Sequence, residues 1–204
     1  HAFIVADIGI SLMLLITIFF YKEPKREIGN EKNKKKFKDM YVALSDIKFL
    51  VFLILLGLMF WLPLWAFFNL VAVYVDRNLD TVRLFQVIDS IFPTWFSNIL
   101  STEDETGQRK LLGETIAHTG YIIMIFQIFI SRIFEKFKAI PSFILGLFIA
   151  ASGMFTIGYA YISSSEFIFL GIFLFAVGEM ICSPRIQEYI MWLAPKEKAG
   201  LYMG

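Results

Sequence analysis

The stretch FIFLGIFLFAVGEMICSPRIQEYIMWLAP, residues 167 to 195, decides what kind of protein this is. Nothing from Phe167 to Phe175 is charged; then come Gly178, Glu179, Ser183, Pro184, Arg185 and Glu188, ahead of Leu193, Ala194 and Pro195. A helix of about 20 such residues crosses the ~30 Å hydrocarbon core of a bilayer. Glu179 stands 12 residues into the run, near the midplane, where a charge costs at least ~2.5–3.5 kcal/mol. A carboxylate kept at that depth is a functional-site candidate by default. The glycine directly before it allows a neighbouring helix to approach closely. Ser183 and Pro184 predict a bend whose freed backbone groups face an internal cavity rather than lipid.

The rest of the chain agrees with a membrane reading. Hydrophobic residues make up 57% of it, 23 of its 204 residues are phenylalanine, and the charges cluster between long uncharged stretches. Five runs of spanning length stand out, at residues 3–21, 49–75, 116–134, 140–162 and 167–193, so the expected fold class is an all-α integral membrane protein. A soluble fold has no means of covering this much apolar surface. The first run is too long for a signal peptide, and Lys22, Glu23 and Pro24 follow it without a cleavage-like site.

Basic residues orient the spans. Residues 22–48 carry nine Lys or Arg against five acids, whereas residues 76–118 carry four against seven. By the positive-inside rule the first loop is cytoplasmic and the second outside. Arg132, Lys136 and Lys138 against Glu135 return the next connector to the inside, and the turn at residues 163–166 has no basic residue. His1 is then outside and the tail inside, in a plasma or inner membrane. The net charge of +1 conceals this asymmetry. The lysine-rich stretch at residues 32–38 beside a span reads as a solvated topogenic loop in contact with anionic headgroups, so lipid and not nucleic acid is the expected partner.

Cys182 is the only cysteine, which excludes a disulfide framework and a thiolate metal site within the chain. His1 and His118 are isolated, and no nucleotide-binding loop or catalytic triad is present. No metal, no cofactor and no enzymatic activity are expected. The chain begins without methionine and stops at Gly204, shortly after Pro195, where a cytoplasmic turn should lead into another helix. The expectation is an interior fragment, with the remaining transmembrane helices as further partners.

A span, a long basic cytoplasmic loop and four more spans resemble helices six to ten of a twelve-helix major facilitator superfamily transporter. On this reading residues 1–21 are the last helix of the N-terminal half and residues 22–48 the loop between halves. Residues 49–204 are then the first four helices of the C-terminal half, with a long outside loop at 76–115. Within that superfamily the chain resembles the proton-coupled oligopeptide transporters. Phe60 and Trp61, followed 15 residues after the tryptophan by Asp76, Arg77, Asn78, Leu79 and Asp80, suit their seventh helix. Gly178 and Glu179, then Ser183 and Pro184, then Leu193, Ala194 and Pro195, ending at Met203 and Gly204, suit the tenth. His1, Ala2, Phe3 and Met13 loosely suit the sixth. Where the family usually has Glu-Gln in the seventh helix this chain has Trp65 and Ala66, and no Asn-Pro precedes Gly120 and Tyr121. The resemblance implies proton-coupled uptake of small peptides, with Glu179 receiving the peptide's amino terminus. A facilitator of another substrate class (sugar, drug or organic ion) and a transport-inactive receptor or scaffold stay open.

Read physically, Glu179, Ser183 and Gln187 recur every four residues and form one polar stripe. Trp61, Trp65 and Asn69 recur at the same spacing around Pro63, and would give an amphipathic cavity wall. Glu179, Ser183, Trp61, Trp65, Asn69 and Gln127 are the candidate substrate contacts. Each has a plainer alternative: a permanent ion pair for Glu179, helix packing for the tryptophans, and interhelical hydrogen bonds for Asn69 and Gln127. Asp7, close to the outer interface, and Gly146, Gly153 and Gly158 read as structural and close-packing positions. Pro63, Pro184, Arg132, Arg185 and Glu188 are the gating candidates, with the charges around Arg132 and Glu135 placed to latch onto Arg185 and Glu188. Between Asp80 and Ile99, apolar residues spaced three or four apart predict an interfacial helix ended by Pro93. The polar residues 101–108 are expected to be mobile.

Overall fold

The computed structural model of the protein describes residues 11–19, 45 and 47–193. Two compact units divide the chain, residues 1–40 and 41–204. In the first, residues 11–19 are helical, with Leu12, Met13 and Phe19 among their exposed apolar side chains. The remainder of the expected first span with Asp7, almost all of the basic loop, and Ala194 to Gly204 lie outside the described residues.

The second unit runs α1 (Ile47–Leu56), a π-helical turn (Gly57–Trp61), α2 (Leu62–Asn78), α3 (Thr81–Ile91) and α4 (Thr94–Ile99). It continues with β1 (Ser101–Glu103), β2 (Arg109–Leu111), α5 (Gly113–Ile116), α6 (Gly120–Phe134), α7 (Ala139–Ile162) and α8 (Phe167–Leu193). Among the described residues four helical stretches are long and apolar enough to cross a membrane: Phe49–Asn78, Gly113–Phe134, Ala139–Ile162 and Phe167–Met191. The protein is mostly helical, with the length and composition that suit an integral membrane protein.

Sequence explains why α1 and α2 do not join smoothly. Pro63 lacks an N–H and its ring crowds the preceding turn, so the helix widens and the Leu62 N–H bonds the carbonyl of Gly57, five residues back. Helices α7 and α8 are joined by a short turn and pack antiparallel on small residues. A Cβ on Gly178 would lie 2.6 Å from both the Ala150 nitrogen and the Gly146 carbonyl oxygen; one on Gly153 would lie 2.7 Å from the Gly171 oxygen. Backbones this close leave no room for side chains, and such contacts substitute for the hydrophobic drive that lipid cannot provide. Gly158 departs from expectation, because a Cβ there meets nothing within 4 Å.

Larger side chains hold α2 against this pair. The rings of Phe67 and Phe175 stack at 3.9 Å between centroids, and the Tyr74 hydroxyl donates to the Ile157 carbonyl at 3.2 Å. Two buried clusters result. One, around Phe67, Val75, Leu84, Ile157 and Phe175, lies toward the end of α2; the other, Leu56, Phe60, Cys182 and Ile186, lies around the π-helical turn. Helix α6 has no fully buried residue and meets α8 through the edge-on rings of Phe126 and Phe173, 5.7 Å apart.

The connector between α2 and α6 holds a strand and a hydrogen-bonded turn within the polar stretch expected to be mobile. Ser101 pairs with Leu111 and Glu103 with Arg109 in an antiparallel hairpin, the one strand pair among the described residues. The Asp104 carboxylate closes its turn by accepting from the Thr106 amide at 2.8 Å, the Thr106 hydroxyl at 2.6 Å and the Gln108 amide at 3.0 Å. The helix expected to lie in the interface is split by Pro93 into α3 and α4, and the expected third span starts with the short α5 and breaks before Gly120. Asp76 anchors this connector, its carboxylate accepting from the Gly113 amide at 2.7 Å. Asp80 caps α3 through the Arg83 amide at 3.0 Å, and the Arg83 guanidinium pairs with Glu166 at 2.7 Å in the α7–α8 turn.

Candidate functional site

Glu179 sits between the two buried clusters. Gly178 presses the α8 backbone onto α7, and Glu179, next in sequence, lines a cavity of about 220 Å³ between α2, α7 and α8. Phe60, Pro63 and Leu64 form one wall, Leu147, Ala151 and Met154 another, and Phe175 lies one turn before the carboxylate. Glu179 supplies the one charged group of this lining. Its Oε2 atom is buried and has no hydrogen-bond partner among the described residues. A buried carboxylate oxygen left without a donor carries its full desolvation penalty of about 1–3 kcal/mol, more when charged. Any ammonium, hydroxyl or proton brought into the cavity relieves it. One turn further along, the Cys182 thiol donates to the Phe143 carbonyl at 3.5 Å, a small buried residue tying α8 to α7.

The other sequence candidates distribute themselves around this cavity unevenly. Pro63 lines it. Trp61 and Trp65 are 47% and 65% exposed and do not line it, and the Asn69 amide donates to the Trp65 carbonyl on its own helix at 2.7 Å. Along the expected stripe on α8, Glu179 and Ser183 are half-buried and Gln187 is exposed.

A second cleft, of about 550 Å³, opens between α6 and α8 and shares no lining residue with the first. Gln127, Ser131, Arg132, Glu135, Pro184 and Arg185 border it, and the Gln127 amide donates to the Ser131 hydroxyl at 2.9 Å. Four of the sequence candidates therefore meet here, away from Glu179. Arg185 pairs with Glu188 on its own helix and donates to the Phe134 carbonyl at the end of α6. The two helices are latched through a backbone carbonyl, and the side chains of Arg132 and Glu135 take no part in that bond.

Sequence reasoning did not single out Tyr74, or the roles of Asp76 and Asp80. An aspartate followed three residues later by a free helix-start amide is a capping signal, legible at Asp80. The Asp76 partner, Gly113, lies 37 residues away and no local pattern reveals it. No protein-family model, curated protein or solved structure matches this chain.

Proposed function

We propose that the protein is a secondary transporter of the major facilitator type, taking up small peptides or related small solutes together with protons by alternating access. The observation that carries this reading is the Glu179 carboxylate, with a buried oxygen lacking a donor, on the wall of an otherwise apolar cavity within a helix of spanning length. Pairing a substrate ammonium with that carboxylate offsets two desolvation penalties at once. The resemblance of Gly178, Glu179, Ser183 and Pro184 to the peptide transporters' tenth helix supports the same assignment. Residues 1–21 and the four long helices then correspond to helices six to ten of twelve. Residues 22–48 and the α6–α7 turn face the cytoplasm, and the hairpin connector faces outside.

In this reading the π-helical turn before Pro63 and the proline at position 184 are the soft points of two of the three cavity-lining helices. Both interrupt the backbone ladder, so α2 and α8 can bend beside Glu179 as the halves rock. Arg185, bound to the Phe134 carbonyl, acts as an inner latch.

The apolar wall around Glu179 favours one alternative within the same fold, a hydrophobic organic amine as cargo. Uptake into proteoliposomes of the full-length protein, driven by an inward proton gradient, separates these readings from a scaffold. Peptide uptake that falls at least about tenfold in Glu179→Gln, equivalent to ~1.4 kcal/mol of lost differential binding, with unchanged melting, supports the proposal. A structural ion pair predicts misfolding instead, since removing one partner strands the other at about 3–5 kcal/mol.

A further inference from the structure

The end of α6 carries a feature that transport does not explain. Arg132 and Lys136 lie one turn apart and line a groove of about 390 Å³ with Ile128, Phe129 and Ile133. Neither cation has a hydrogen bond or an ion pair among the described residues. The three apolar side chains that share the groove with them are 72%, 66% and 57% exposed. Positions 128, 129, 132 and 133 follow one face of α6, and Lys136 lies in the turn just past its end. The nearest acid, Glu135, borders the cleft toward α8 and not this groove. Glu188 is occupied by Arg185, which also covers the Phe134 carbonyl at the helix end.

We propose that Arg132 and Lys136 bind the headgroup of an anionic phospholipid whose acyl chain lies along Ile128, Phe129 and Ile133. The inference rests on the membrane reading of the long helices and is independent of what, if anything, the protein transports. In the membrane reading, two uncompensated cations at the end of a helical stretch of spanning length lie at headgroup depth, where a phosphodiester supplies the missing counter-charge. The apolar strip below them runs in the direction an acyl chain takes from that headgroup. A soluble anion would use the cations and leave the strip uncovered. A zwitterionic lipid would cover the strip but brings its own cation to the site. Arg132 also borders the α6–α8 cleft, so a bound lipid would lie beside the Arg185 latch.

The test is native mass spectrometry of the full-length protein in micelles, titrated with phosphatidylglycerol and, separately, phosphatidylcholine. Each Lys or Arg near an anionic surface is worth about a factor of five in affinity, so Arg132→Gln with Lys136→Gln should weaken phosphatidylglycerol about thirtyfold. Phosphatidylcholine should change little. Lys110→Gln, a charge removed from the hairpin, should match wild type, and Arg132→Lys should retain most of the binding. Both cations are exposed and unpaired, so the variants should fold, and their melting temperatures verify it. Wild-type affinity in the double variant, or an equal loss in Lys110→Gln, overturns the site. Competition by glycerol 3-phosphate at the concentration at which the lipid binds would also overturn it, as a phosphate site that needs no membrane.

Discussion

Replacing Gly153 by alanine tests whether α7 and α8 are held by backbone contact. A Cβ there would lie 2.5 Å from the Phe175 nitrogen, 2.7 Å from the Gly171 oxygen and 3.0 Å from the Phe175 Cα. Ordinary carbon contacts sit at about 3.5–4.0 Å. All three neighbours are backbone, so no side-chain rotation makes room and the helices must separate by roughly 1 Å. Separation also disturbs the Phe67–Phe175 stack. Overpacking of this kind costs about 1–3 kcal/mol. Alanine returns up to ~1 kcal/mol of helix propensity, but Gly158→Ala, five residues along the same helix, gains it as well. At Gly158 the new methyl meets nothing within 4 Å. The difference between the two variants therefore isolates packing, and should be about 1–3 kcal/mol with Gly153→Ala the less stable. Unfolding in mixed micelles with increasing sodium dodecyl sulfate, followed by circular dichroism, measures it. Equal stability of the two variants would refute the packing argument.

Asp76→Ala should leave the Gly113 amide without its acceptor, weakening the connector by about 1–3 kcal/mol, whereas Asp76→Asn keeps an oxygen and should cost less; hydrogen exchange at Gly113 reads both. At the hairpin, the Thr106 hydroxyl first, and then the Gln108 and Thr106 amides, hold the Asp104 carboxyl below the usual aspartate range. A lowered native value means that the carboxylate's contribution is complete above the ordinary aspartate pKa and is lost as the pH falls through the lowered one. Protection of the Gln108 amide should accordingly decline only in acid, and at a higher pH in Thr106→Ala than in wild type.

Apolar runs of spanning length foretold the four long helices because, in a membrane protein, length and composition carry the signal on their own. Glu179 stood out in the sequence for the same reason, as a lone carboxylate inside such a run, and the structure sets it on a cavity wall. Which way each side chain faces was less legible. The spacing of Trp61, Trp65 and Asn69 sets them on one side of the π-helical turn and α2, but spacing alone does not say which side meets α7 and α8, and Phe60, Pro63 and Leu64 are the ones that do. Gly153 and Gly158 look alike in sequence; only the partner backbone distinguishes them. The hairpin escaped notice because its strands are three residues long and polar, and the Asp104 side chain, not an alternating pattern, closes its turn. Asp76 bonding Gly113 is a long-range contact that no local pattern encodes.

On the proposed reading Glu179 receives a substrate ammonium. Binding of a dipeptide and of its N-acetylated counterpart, measured by calorimetry on full-length wild type and Glu179→Gln, tests it most directly. Wild type should prefer the free amine by at least about tenfold, ~1.4 kcal/mol, and the neutral amide should erase that preference while leaving the acetylated peptide unchanged. A preference for the free amine that survives intact in Glu179→Gln would contradict the account.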